Sequence, residues 1–420
     1  MFVHIDIDSF FVSAERSIHP ELKGIPVAVG GRSNLEIFSR KRQHIRLMND
    51  NSGAFVAPVF YSDHRKNFRE KFIDRIDGRD KIRGIVTTSS YEARACGVRT
   101  GMSLAQALRL CPAMVVVPSD YLLYHRLSHR LHTYLSRQIP QIEPFSIDEF
   151  FGYTGGWIPD RNIETFAREL QARILVAFDL PVSIGIARSK WIAKLATEYA
   201  KPYGVLRVDD VRAFIDDKPI EAFPGIGRRL QVRLRQRGIV RLGQVALARG
   251  LFESWGKNGR TLYRRILGID GEGIEPRNGR KSIGMSRTFD PLDDTKEVRR
   301  RIMIMARHIA HLVSEIEVNP TRYALQIRYA DGRRAKTTRR MDRLFSEMLL
   351  KKSLSEMHAE LGDGTAVKIS LSVSDFTLHH PRALSLVDFE SDHASYVLSE
   401  QMYRIRTRFG LDAIRTGSEL

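Results

Sequence analysis

The chain has 420 residues, 43% of them apolar, and 67 Lys and Arg against 49 Asp and Glu give a formal net charge of +18. That length exceeds one ordinary core and predicts several domains. The lack of an apolar run of about 18 residues excludes a membrane-spanning helix, and two cysteines, Cys96 and Cys111, exclude a disulfide framework or a cysteine zinc site.

A positive field of this size predicts a polyanionic partner, most commonly nucleic acid. The opening Met1-Phe2-Val3-His4-Ile5-Asp6 has no basic segment and carries a carboxylate where a leader needs apolar residues, so no secretory leader and a cytoplasmic protein are expected. Val3, Ile5 and Ile7 alternate with His4, Asp6 and Asp8, the period of a strand with one buried side. The strand runs into Ser9-Phe10-Phe11 and a helix starts near Val12, so two carboxylates sit at a strand-to-helix junction. A second strand covers 26–29. Residues 34–84 break the pattern: the basic cluster Arg40-Lys41-Arg42 and a charged helical stretch around 65–79 predict an insertion on the surface. Strands over 85–88 and 115–118 flank Tyr91-Glu92-Ala93-Arg94 and a helix over 103–110. Helices over 121–139, 163–178 and 189–200, with a strand over 182–186, complete an α/β or α+β first domain.

From 211 to about 267 the chain is helical and Arg-rich, and 272–280 reads as a linker. A separate α/β unit follows, with a helix over 296–316 and a hairpin turning at Asp331-Gly332. In its first strand Tyr323, Leu325, Ile327 and Tyr329 share one face and Arg322, Gln326 and Arg328 the other. In a later strand Val367, Ile369, Leu371 and Val373 oppose Lys368, Ser370 and Ser372. These faces predict a small sheet on helices with a basic side left open. The residues after 380 read as a tail ending in a helix over 396–409.

A chain this basic that places Asp6 and Asp8 on one strand face, and Asp148 beside Glu149 between apolar residues, needs positive partners there, because unpaired buried carboxylates are costly. Two Mg²⁺ ions roughly 3.5–4 Å apart would neutralise them and hold the attacking and leaving oxygens of an in-line nucleotidyl transfer. A pairing of Asp6 or Asp8 with an arginine, and a turn at Asp148-Glu149, are the alternatives on these residues alone. Tyr91 and Arg94 lie one helical turn apart and can point at one object. Phe223-Pro224-Gly225-Ile226-Gly227, followed by Leu230, Leu234 and Gly238-Ile239 among Arg228, Arg229, Arg233, Arg235 and Arg237, resembles a helix-hairpin-helix. Its glycines let backbone N–H groups approach a DNA phosphate without reading sequence.

His4-Ile5-Asp6-Ile7-Asp8-Ser9-Phe10-Phe11, Tyr91-Glu92-Ala93-Arg94, Ser146-Ile147-Asp148-Glu149 and the stretch from Lys194 to Lys201-Pro202-Tyr203-Gly204 stand in the order found in Y-family translesion DNA polymerases. The chain resembles the bacterial polymerase IV branch over nearly its whole length, except for about 34–84. The resemblance implies an α+β right-hand fold: a palm of 1–10 and 120–200, fingers of 11–119 carrying the insertion, a helix-hairpin-helix thumb of 201–271, a linker of 272–281, a little finger of 282–380 and a tail of 381–420. It implies Asp6, Asp148 and Glu149 as the catalytic, metal-binding carboxylates for two Mg²⁺ ions, with the Ile7 carbonyl as a further ligand and Asp8 as a neighbour. Phe10 and Phe11 are then nucleotide-binding residues, with Phe11 the aromatic gate beneath the incoming sugar. Thr88, Tyr91, Arg94 and Lys194 would contact the triphosphate of the dNTP, and Gly225, Gly227, Arg228, Arg322, Arg328 and Lys368 the primer-template DNA.

The implied activity is template-directed DNA synthesis across damaged templates, at low fidelity and low processivity, by a monomer. The sequence departs from the pattern in three places. The 34–84 stretch is longer than the usual fingers connection, and Phe150-Phe151-Gly152-Tyr153 replaces a small residue, a tyrosine and a later acid. Ala383-Leu384-Ser385-Leu386-Val387, with Phe389 beyond, stands where a sliding-clamp peptide carries Gln and aromatic anchors. A catalytically silent DNA-binding scaffold is the alternative, and the retention of all three carboxylates speaks against it. A nucleotide cyclase with a two-metal palm is a second rival, opposed by the Arg-rich helical and C-terminal domains.

Overall fold

The computed structural model describes residues 1–39, 47–48, 59–60, 67–76, 78–275, 280–378 and 387–420. They form two compact units, one of residues 1–31 and 67–275, the other of 32–39, 47–48, 59–60 and the described residues from 280 onward.

The first unit holds, in chain order, β1 (Phe2–Ile7), α1 (Phe10–Ile18), β2 (Val27–Gly31), α2 (Phe68–Phe72), β3 (Ile85–Ser89), α3 (Tyr91–Ala95), α4 (Leu104–Leu110), β4 (Val115–Pro118), α5 (Tyr121–Leu135), β5 (Gln141–Pro144), β6 (Glu149–Tyr153), α6 (Ile163–Phe178), β7 (Val182–Ala187), α7 (Lys190–Ala200), β8 (Val205–Val208), α8 (Arg228–Arg235) and α9 (Gly256–Ile266). Its main sheet runs β8-β7-β1-β6-β5, antiparallel except for the β7–β8 pair. Val3, Ile5 and Ile7 of β1 enter a core with Leu131 and Leu135 of α5 and Ile174 of α6. The polar face of β1 is buried too, which corrects the expectation of one open side: His4 is 0% and Asp6 5% exposed. Helix α7 covers that face. The His4 ring meets the Thr197 hydroxyl at 2.9 Å, and a Cβ on Gly185 would lie 2.0 Å from the Ala193 carbonyl, so only glycine allows the helix to cross β7 this closely.

A second sheet, β3-β2-β4, packs Ala28 and Val86 against Leu104 and Ala107 of α4. The charged stretch around 65–79 is helical only over α2, where Asn67 and Glu70 form a capping box. A hairpin of Ile73–Ile76 and Arg79–Ile82 follows, since the β-branched residues and the left-handed Gly78 favour strand and turn. Phe72 is fully buried in the second core.

Further along, Phe223, Ile226, Leu234, Leu242 and Phe252 pack with Ile192 and Leu195 of α7. The beginning of the expected linker is pinned in place. Glu272 accepts from Arg265 and from the Trp191 indole, Ser189 donates to Asp270 at 2.6 Å, and the Glu275 N–H donates to Glu143 at 2.8 Å.

The second unit contains β9 (Ser282–Leu292), α10 (Thr295–Glu315), β10 (Val318–Tyr329), β11 (Arg334–Arg340), α11 (Glu347–Glu360), β12 (Ala366–Leu378) and α12 (Phe389–Phe409). The sheet is antiparallel in the order β9-β12-β10-β11. Tyr323, Leu325 and Ile327 of β10 and Ile369, Leu371 and Val373 of β12 pack on α10 and α11, as the alternation predicts.

The expected C-terminal tail is instead part of this body. Leu411 is 2% exposed, and Arg307, Glu347, Lys351, Arg406, Asp412 and Glu419 form a buried ionic network. Isolated charges in a sequence read as solvated surface, and only the fold brings these opposite one another. Of the expected clamp stretch, residues 383–386 lie outside those described, and Phe389 opens α12.

Candidate active site

Strand pairing builds the site. Asp6, near the end of β1, stands opposite Glu149 on β6 and Ser183 on β7. The Ile7 N–H donates to the Asp148 carbonyl at 3.0 Å, which fixes the segment entering β6 against the end of β1. The three expected carboxylates therefore share one end of the paired strands. Each has a different partner: Lys201 donates to Asp6 at 3.0 Å and to Glu198 at 2.8 Å, Lys194 donates to Glu149, and the Ser146 hydroxyl donates to Asp148. Lys194 and Lys201 are seven residues apart, two helical turns, so both project from one side of α7 and its end.

Burial, with repulsion from Asp148 and Glu149, pushes the Asp6 carboxyl well above the usual carboxylate range despite the pull of Lys201. Burial and then Glu149 also raise Asp148, against the Ser146 hydrogen bond. For the Lys201 ammonium, burial acts downward, but Asp6 and Glu198 prevail and shift it upward. Three hard oxygen donors that repel one another are the donor set an oxygen-seeking divalent cation relieves. Among the described residues no three His, Cys, Asp or Glu side chains converge on one point; Asp6 and Glu149 are each held on their own ammonium, which a cation must displace to gather them.

Asp8 is the neighbour that the family pattern implies. It is 2% exposed and accepts from the Ser183 hydroxyl at 2.9 and 3.0 Å, the Tyr203 N–H at 2.8 Å and the Tyr91 hydroxyl at 3.1 Å. Its oxygens are occupied by the protein, and it ties α3 to the end of β1.

Phe11 is half-buried and stacks on Tyr124 of α5, with ring centroids 4.3 Å apart and planes 11° from parallel, while Tyr121 meets it edge-on at 5.7 Å. The Tyr124 hydroxyl donates to buried Glu15 of α1. Phe10, grouped with Phe11 in the expectation, is 3% exposed and points into the core, so it has no face to offer a nucleotide. Thr88 lies opposite Val29 on β3. Tyr91 and Arg94 touch: the guanidinium lies 4.9 Å from the ring centroid, and its Nε donates to the Ser89 carbonyl at 3.0 Å. Lys194, expected on the triphosphate, is held on Glu149, with its ammonium 5.1 Å from the Phe145 ring centroid.

Lys201 lies in the Lys-Pro-Tyr-Gly stretch, and its seven-residue spacing from Lys194 is the sequence signal that pairs them. Tyr124 and Glu15 gave no sequence signal, because their link to Phe11 spans more than a hundred residues.

Farther along the first unit, Gly225 takes a left-handed φ of 96° and Gly227 caps α8, with Gly225, Gly227, Arg228 and Arg229 exposed. In the second unit the open sheet face sets like charges opposite one another: Arg322 faces Arg340, and Arg328 faces both Arg334 and Lys368. Asp375 pairs with Arg322 at 2.9 Å.

Comparison with known proteins matches residues 5–198 to the impB/mucB/samB family and residues 280–386 to the C-terminal domain of that family. DNA polymerase IV 1 of Halalkalibacterium halodurans is 30% identical over 99% of this chain and 92% of its own length. DNA polymerase IV of Shewanella pealeana is 31% identical over 72% of each. In fold the chain is similar to a Y-family DNA polymerase chimera built on Dbh, with a TM-score of 0.70 and 22% identity over 90% of this chain and 99% of that one. It is also similar to the insertion ternary complex of Dbh DNA polymerase, at 0.56 and 22%, over 90% of this chain and 100% of that one. Among the described residues no helix is long and apolar enough to cross a membrane. The chain belongs to the impB/mucB/samB family of Y-family enzymes, and it is a DNA-directed DNA polymerase of the translesion type in the DNA polymerase IV branch.

Proposed function

We propose that Asp6, Asp148 and Glu149, with the Ile7 carbonyl, hold two Mg²⁺ ions and that the chain joins dNTPs to a primer 3′-hydroxyl in a cytoplasmic, distributive and error-tolerant reaction. The observation that carries this reading is the surplus of carboxylate at the ends of β1 and β6, with Asp6 raised and only displaceable lysines for partners. When bound, the ions would lower the pKa of the primer hydroxyl and neutralise the departing pyrophosphate.

The chain's own residues do the rest. Lys194 leaves Glu149 for a phosphate oxygen, and Arg94, braced on Tyr91, adds a second cation, with the Thr88 hydroxyl beside them. Phe11, backed by Tyr124, leaves no room for a 2′-hydroxyl. Gly225, Gly227 and Arg228 bind phosphate of the primer-template, and the Arg322, Arg328 and Lys368 face lies against the duplex backbone. Facing cations on a sheet are unfavourable alone and become favourable against a polyanion, which supports that reading. In domain terms, 1–10 and 120–200 act as palm, 11–119 as fingers, 201–271 as thumb and the sheet from 282 onward as little finger. The protein acts as a monomer. A clamp contact, where made, uses the stretch around Leu384 and Phe389.

Extension of a labelled primer on an undamaged template with Mg²⁺ and four dNTPs tests the reading against Asp148→Ala/Glu149→Ala. Extension by the wild type, lost in the variant with DNA binding intact, is the expected result. A variant that extends as well as the wild type overturns the metal assignment.

A further inference from the structure

The insertion between β2 and β3 is more than surface decoration. After Gly31 the chain enters the second unit, where residues 35–38 make a single 3-10 turn, closed by the Phe38 N–H on the Leu35 carbonyl at 3.0 Å and entered through Asn34, which accepts from the Glu36 N–H at 2.9 Å. Ile37 is 1% and Phe38 5% exposed, in one core with Phe289 of β9 and Val298, Ile302 and Met305 of α10. The Phe38 ring meets Phe289 edge-on at 6.5 Å, and the Arg301 guanidinium lies over both, 4.9 and 4.7 Å from their centroids.

The turn's carbonyls are held as well. Arg300 donates to the Phe38 carbonyl at 2.7 Å and to the Glu419 carbonyl at 3.3 Å, and Arg415 donates to the Ser39 carbonyl at 3.4 Å. The returning arm is anchored in the first unit: Phe72 is fully buried, and a Cβ on Gly30 would lie 2.7 Å from its ring.

We infer that the insertion is an intramolecular tether, whose Leu35–Phe38 turn is a plug seated in the C-terminal unit. The two units are thus joined through the insertion as well as through the segment after Glu275. Two large apolar side chains, buried, with the carbonyls of Phe38 and Ser39 bonded, are what a docked segment needs and a solvated loop lacks. The inference is independent of the catalytic reading.

The test uses the full chain with a specific protease site placed among residues 276–279. Once cut there, the wild-type fragments stay together through size exclusion in about 1 M NaCl, where surface ion pairs are screened. The cut Ile37→Asp/Phe38→Asp variant separates, and its released C-terminal fragment keeps the cooperative thermal unfolding and near-ultraviolet circular dichroism of a folded domain. Should that fragment prove unfolded, Phe38→Ala decides, with fragments that bind each other about 100-fold more weakly than wild type. Wild-type fragments that part as readily as the variants', or variant fragments that hold as firmly as wild type, overturn the tether.

Discussion

Two ionic clusters in this molecule are built from the same residue types and serve opposite ends. In the C-terminal unit each carboxylate has two cations: Glu347 has Lys351 and Arg406, Glu419 has Lys351 and Arg307, and Asp412 has Arg307 and Arg415. Four cations serve three carboxylates there, and although burial opposes ionisation, Lys351 and Arg406 hold the Glu347 carboxyl below its ordinary range. At the ends of β1 and β6 the balance fails. Asp6 shares Lys201 with Glu198, Glu149 has Lys194 alone, Asp148 has a hydroxyl, and the Asp6 and Asp148 carboxyls are raised. A saturated cluster locks chain segments together, and an undersupplied one is open to an incoming cation. Stoichiometry of charge, more than burial, separates structural from catalytic use.

This contrast can be broken at either end. Asp6→Asn removes a proposed metal ligand from the undersupplied cluster and is expected to lower primer extension about 1,000-fold or more at saturating Mg²⁺, while thermal stability holds or rises because a strained buried charge is gone. Single-turnover extension and a melting curve on the same sample check both arms.

In the saturated cluster the signs reverse. Glu347→Gln leaves Lys351 and Arg406 short of charge and should cost about 3–5 kcal/mol in the unfolding transition of the C-terminal unit, read by denaturant titration. The pH dependence follows from the lowered Glu347 pKa. Its stabilisation is complete above the unfolded-state value of about 4.3 and is lost as pH falls through the lower folded value. The melting temperature of that unit should therefore drop on acidification below about pH 4, and the Glu347→Gln variant should show a smaller drop.

Outside both clusters, Phe11→Ala is expected to raise ribonucleotide incorporation about 10- to 100-fold relative to dNTP use, measured by paired single-nucleotide insertions. An unchanged sugar preference removes the gate role. The smallest effect belongs to single cations on the open sheet. Arg328→Ala should weaken DNA binding evenly across sequences and reduce the slope of log affinity against log salt by about 1, read by fluorescence anisotropy over a salt series.

Much of this was legible in the residues. The alternation through Val3, Ile5 and Ile7 marks β1, and the alternating faces of β10 and β12 correctly separate the buried side from the basic one. Asp6, Asp148 and Glu149 stood out because carboxylates among apolar residues in a basic chain need an explanation. Strands β5, β6 and β8 were missed, since polar, proline or glycine residues interrupt their apolar runs, whereas equally short β2 and β4 are nearly unbroken apolar runs. The long-range partners were missed for another reason. Lys201 on Asp6, Tyr124 under Phe11 and Glu419 on Lys351 and Arg307 are pairs whose members lie between 68 and 195 residues apart, and no local pattern encodes such pairings.

The sequence by itself determined the branch of the family and singled out the carboxylates proposed to hold metal, the aromatic residue proposed as the gate and the cationic faces, because each rests on residue type within a short motif. Only the tertiary structure decided what those residues do to one another. It put Lys194 on a carboxylate, buried Phe10 and closed Asp8 off with four hydrogen bonds. It turned a C-terminal tail into the keystone of an ionic network, and it drew Ile37 and Phe38 of an apparent surface insertion into the core of the C-terminal unit. Those outcomes depend on which surfaces meet after the chain has folded, and burial and charge balance are properties of the meeting, not of the residue.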